Sequence, residues 1–153
     1  MSRTDKLSKL VAVYDQFQLA VSKLEDANAA LIRENWPKVR AMYAEPNGDV
    51  PRSALASGME QGLRETPMIL GFMKQVNRAI AARALTAAIE AHYPDFFRKD
   101  EERLEKIRAR ESIRSEQEFY LVRHHIDVLE GDEARAQELP YWYALVECFE
   151  GKA

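Results

Sequence analysis

The chain has 153 residues, a formal net charge of −3, 46% hydrophobic residues and 31% charged residues. That length suffices for one domain with a core, and the composition excludes a disordered chain. There is no basic excess of the kind that nucleic acid attracts and no apolar run long enough for a bilayer, and the single cysteine, Cys148, excludes an intrachain disulfide and fits a reducing cytosol. The opening, MSRTDKLSKL, carries no apolar signal core, so a cytoplasmic protein of one domain over 1–153 is expected, with no membrane contact.

From the N-terminus, Leu7, Leu10, Tyr14, Phe17, Val21, Leu24 and Leu31 recur at three- and four-residue steps, with Asn28 at the missing one. This heptad seam predicts one long N-terminal helix. A lone Asn on such a seam either fixes coiled-coil register or sits partly exposed in a bundle. Val11, Val13, Ala20, Ala27 and Ile32 widen the stripe, which suits a helix with more than one neighbour. Asn35 followed by WPKVRAMYAE predicts a short second helix with Pro37 in its first turn. EPNGDVP reads as a loop. Leu55, Met59 and Leu63 then predict a short helix, with Gly58 and Gly62 leaving room for a close neighbour. Thr66-Pro67 reads as the next helix start. The Ala-rich run from about Met68 to His92, with Phe72, Val76 and Ile80 facing inward, is expected to be the most buried helix.

A further helix starts near Pro94, with Phe97, Leu104 and Ile107 on its seam, and the seam fails over 108–114. Ser115 and Glu118 then have capping-box spacing, and Phe119, Val122, Ile126 and Leu129 resume the rhythm. Gly131 suits a helix C-terminus, and Asp132 can cap the segment that follows. Leu139, Tyr143, Val146 and Phe149 give a matching apolar edge. Residues 115–150 therefore predict two antiparallel helices joined by a tight turn. No strand pattern is present.

The chain lacks GxGxxG, phosphate-loop, GxSxG, HExxH, CxxC and paired ExxH motifs. The most chemical stretch is IRSEQEFYLVRHHIDVLEG, where His124 and Asp127 share a helix face. A carboxylate beside an imidazole can orient a base or a metal ligand. However, adjacent helical histidines lie about 100° apart, and zinc needs three or four ligands. His92 is the only other imidazole, and a helix C-terminus favours its cation. His124 and His125 therefore read as surface or boundary residues, and no catalytic residue, metal or cofactor is assigned. Lys99, Arg103, Lys106, Arg110 and Arg114 would form one basic stripe on a continuous helix. Such a stripe follows phosphates, docks an acidic partner or is simply solvated. No aromatic residues interleave with it, so single-strand stacking is not indicated.

The stretch IRSEQEFYLVRHHIDVLEG followed by ELPYWYALVECFEG resembles the helical hairpin that precedes the DNA-binding domain in HigA-like antitoxins. The resemblance covers 113–150. It implies a hairpin used for protein contact. This sequence ends at Ala153, where that family continues into a helix-turn-helix, so base-specific DNA reading is not carried over.

The expected fold is an all-α helical bundle with a long N-terminal heptad helix, a buried Ala-rich helix and a C-terminal helical hairpin. The expected function is that of a non-catalytic protein-interaction module or small bacterial regulator. It would form a homodimer or bind a protein partner through Tyr141 or Trp142, because these large groups exceed what narrow helices can bury. The alternatives are a nucleic-acid-associated regulator using the basic stripe, and a metal or enzyme site around the histidines.

Overall fold

The computed structural model describes residues 5–44 and 50–151, all of the regular structure among them being helical. The helices are α1 (Lys6–Val21), α2 (Ala27–Ala44), α3 (Arg52–Leu70), α4 (Gln75–His92), α5 (Phe96–Arg110), α6 (Glu116–Leu129) and α7 (Leu139–Gly151), with a 3₁₀ segment at Glu133–Glu138. The expected all-α helical fold is therefore present. The contacts separate two compact units, Met1–Pro94 and Asp95–Ala153. Most of the EPNGDVP loop lies outside the described residues.

In the first unit α1 is the hub, packing on α2, α3 and α4. Asp5 caps it, accepting the Ser8 backbone N–H at 2.9 Å. The same carboxylate takes Arg52 Nε at 2.7 Å, which ties the start of α3 to the start of α1. These hydrogen bonds from Arg52 and Ser8 hold the Asp5 carboxyl well below the usual carboxylate range. Leu7, Leu10, Val11, Val13, Phe17 and Val21 are buried, so the seam works as far as Val21.

There it ends, and the expected long N-terminal helix is two helices. The Ser22 hydroxyl donates to Leu19 O at 2.7 Å, and Asp26 accepts the backbone N–H of Asn28 at 2.8 Å, starting α2 afresh. Chain reversal puts Leu31 off the seam, and it is 55% exposed. Asn28 sets no coiled-coil register. Its Nδ2 donates to Phe72 O at 3.1 Å, tying α2 to the turn between α3 and α4.

Two prolines sit differently from their expected places. Pro37 lies inside α2, which begins at Ala27, and Pro67 lies inside α3. Pro at a helix start and Pro within a helix share the same φ, so the dipeptide does not distinguish them. Tertiary contacts carry both helices through. Trp36 stacks on Tyr14 at 5.2 Å and donates Nε1–H to Asp15 at 2.8 Å. On α3, Leu63, Thr66 and Leu70 are buried on either side of Pro67.

The Ala-rich run is also divided, by the turn after Leu70, and it is not the most buried helix. α4 buries Ala81, Ala82, Leu85, Ala88 and Ile89, a single face. At about 100° per residue, Val76 and Ile80 lie opposite that face. They are 72% and 44% exposed, and Phe72 in the preceding turn is 70% exposed. Alanines let α4 approach α1 closely, but α1 and the lighter contact with α3 leave its outer side uncovered.

In the second unit Ile107, Ile113, Val122, Ile126, Leu129, Trp142 and Leu145 form the core. Ser115 caps α6, its hydroxyl accepting the Glu118 backbone N–H at 3.2 Å. The expected capping box is only half formed: Glu118 reaches back to the N–H of Arg114 at 2.7 Å, not to that of Ser115. Asp132 accepts the Ala134 N–H at 3.1 Å and opens the 3₁₀ segment, which replaces the expected tight turn. The hairpin of α6 and α7 is present, and Phe119 stacks on Phe149 at 5.3 Å across it. Its second helix is turned from the expected edge: Trp142 and Leu145 are buried, and Tyr143 is exposed.

Candidate functional site

The surface with most to explain is on the first unit. Phe72, Val76 and Ile80 form an exposed apolar row along the outer side of α4 and the turn before it. The turn is braced rather than loose. Asn28 binds its backbone, and Asn77 donates to Asp26 at 3.1 Å. The Asp26 carboxyl is held below its ordinary pKa mainly by that Asn77 hydrogen bond. Nearby on sequence and by the Asn28 link, Leu31 and Ile69 are also exposed, and both line a cleft between α2 and α3. In the sequence, apolar residues on both faces of the Ala-rich helix carry this signal. They read as deeper burial only if a second neighbour is assumed.

Trp142 is placed otherwise than expected. Trp142 is 2% exposed within the second unit's own core, and so presents no outer anchor. Tyr141 is half-buried beside it, its hydroxyl donating to Arg108 O at 2.9 Å. The Arg108 guanidinium lies 5.6 Å from the Tyr141 ring centre and 5.8 Å from that of Trp142. These groups are large, but one aromatic cluster closed by an arginine accommodates them.

The basic stripe is not continuous. α5 stops at Arg110, and Glu111 turns the chain in a left-handed conformation (φ 58°), so Arg114 lies off the helix. Arg110 donates to Ser112 O and pairs with Glu118. Arg103 meets Asp100 at 3.4 Å. Lys99 and Lys106 are exposed, with Glu101, Glu102 and Glu105 on the same helix also at the surface. At Arg103 and Arg110 a phosphate would meet cations that already face carboxylates.

The histidines do not converge. His92 Nε2 donates to Gln16 Oε1 at 2.8 Å in the first unit. His124 and His125 are half-buried on α6. His125 packs edge-on against Trp142 at 5.2 Å, at the border of the core. Among the described residues no three His, Cys, Asp or Glu gather as a metal site. Burial lowers the pKa of His124, with Asp127 pulling the other way. Burial, helped by Arg135 and Arg108, lowers that of His125 to about 4.

This has a consequence for acid stability. The unfolded chain takes up the His125 proton near pH 6.5, and the folded chain resists it until about 4. Stability from this group is therefore complete above pH 6.5 and falls as pH drops from 6.5 towards 4. Allowing for partial exposure, the expected loss between pH 7 and pH 5 is about 1 kcal/mol. Urea unfolding at both pH values checks it. His125→Gln should shrink the difference, and an equal difference in both proteins refutes the assignment.

Among the described residues no helix is long and apolar enough to cross a membrane. Comparison with known proteins found no matching family model, no matching curated protein and no matching solved structure.

Proposed function

We propose that the protein is a non-catalytic interaction module that pairs with a second copy of itself through the outer side of α4. The observation that carries this reading is the exposure of Phe72 and Val76, at 70% and 72%, with Ile80, along the outer side of α4 and the turn before it. Contiguous exposed apolar groups cost solvation free energy until something covers them, and mark contact surfaces. A twofold contact places the same row on both copies, so an apolar row complements itself. The hairpin's resemblance to that of HigA-like antitoxins supports protein contact as the general role. The nucleic-acid reading loses support, because Arg103 and Arg110 already have carboxylate partners.

Sedimentation equilibrium over a range of concentrations tests this. The unaltered chain should reach twice the monomer mass. The double variant Phe72→Ser, Val76→Ser should remain monomeric, with stability within about 0.5 kcal/mol of the parent, as for surface substitutions. A parent that stays monomeric throughout, or a double variant that still dimerises, rules the surface out.

A further inference from the structure

α2 and α3 both lie on α1, and between them is a cleft of about 420 Å³. Tyr14 and Phe17 of α1 contribute to its lining, with Leu31 and Trp36 from α2 and Met59 and Ile69 from α3. The volume is in the range of small-molecule sites. Two of the α3 positions lining it are Gly58 and Gly62, which contribute no side chain. A Cβ at Gly62 would stand 3.7 Å from Tyr14 Oη, ordinary contact, so a methyl fits and a larger side chain would enter the cleft. The space is thus kept by residue choice on α3.

The lining contains no Asp, Glu, Lys, Arg or His, in a chain with 31% charged residues. An ionised ligand would lose its water there and gain no counter-charge. A charged amphipathic helix would likewise find no ionic partners along these walls. Polar capacity comes instead from neutral groups. Gln18 on α1 and Asn35 on α2 line the cleft, and their side-chain amides make no hydrogen bond to the described protein. Each amide offers both a donor and an acceptor.

We propose that the cleft between α2 and α3 binds a neutral, largely apolar small molecule bearing a hydroxyl, carbonyl or N–H group, which the amides of Gln18 and Asn35 receive. This site adjoins the self-association surface at Asn28, which lines the cleft and binds Phe72 O, but Phe72, Val76 and Ile80 do not line it. Trp36 in the wall gives an optical readout.

The probe is N-phenyl-1-naphthylamine, neutral and apolar with one N–H, titrated into the full chain. Its emission should rise saturably at one equivalent, with energy transfer from Trp36 that persists when Trp142→Phe removes the other tryptophan. Gly62→Leu and Val39→Trp, at lining positions on α3 and α2, fill the cleft and should each weaken binding at least about tenfold. The anionic analogue 8-anilinonaphthalene-1-sulfonate should bind at least about tenfold more weakly than the neutral probe. Phe72→Ser should leave binding unchanged, which separates this site from the contact surface. Absence of saturable binding overturns the proposal, as does energy transfer lost with Trp142 alone. Equal affinity for the anionic dye overturns it, and so does equal affinity in filled variants that retain the parent's circular dichroism. If both filled variants unfold, the Trp36 transfer and the neutral-to-anionic ratio decide.

Discussion

Trp142→Ala is expected to destabilise the protein by about 3–5 kcal/mol, the usual range for truncating a buried aromatic. Trp142 is 2% exposed and packs with Ile107, Ile113, Val122, Ile126, Leu129 and Leu145. Its ring also meets His125 and Tyr141 edge-on, at 5.2 and 5.3 Å. Removing it empties the centre of a small core that neighbours on α5 and α6 cannot collapse to fill. Its indole N–H is buried without a hydrogen-bond partner. Trp142→Phe gives up some volume but also an unsatisfied donor, whose burial costs about 1–3 kcal/mol. The Phe variant should therefore lose much less than the Ala variant. Chemical denaturation of the three proteins measures both differences, and sedimentation should show no change in mass. A loss under about 1 kcal/mol for Trp142→Ala, or a change in mass with stability kept, would place Trp142 in an interface after all.

The second large effect concerns two leucines on one sequence seam. Leu10→Ala should cost about 2–5 kcal/mol, and Leu31→Ala less than about 0.5 kcal/mol. Leu10 is fully buried where α1 meets its neighbours, whereas Leu31 is 55% exposed on α2. In one continuous heptad helix the two would cost about the same, because both would stand on the same stripe. Thermal unfolding of both variants distinguishes the broken helix from the continuous one. Comparable losses would mean that the helix runs through Ser22 to Asp26 without the reversal.

Helical class was legible in the sequence because it rests on local regularities. The seam from Leu7 to Val21, the Ser115 and Asp132 caps and the α6 rhythm each bring their physics within a few residues. The C-terminal hairpin was legible for the same reason. What the sequence alone left open concerns partners distant along the chain. Asp26 caps a new helix and also binds Asn77, far along the chain, so the break after Val21 is fixed by the packing of α4 as well as by its own turn. Pro37 and Pro67 suit a helix start or a helix interior equally by φ, and Trp36, Thr66 and Leu70 decide for the interior through burial.

The cleft and the apolar row were legible least, since both depend on what a face does not touch. Periodicity shows that α4 has apolar groups on two sides, but only the positions of α1 and α3 determine which side is covered. The alanine side fits closely against α1 and leaves Val76 and Ile80 outside. Likewise the basic residues of α5 lie on one helix by spacing, but Asp100 and Glu118 become their partners through side-chain geometry and the turn at Glu111. By itself, then, the sequence determined that the chain is helical and where the helices after Pro94 lie, because hydrogen bonds and caps act over a few residues. Tertiary structure alone decided which residues are covered, since burial belongs to pairs of surfaces and Trp142 and Phe72 are told apart only by what stands against them.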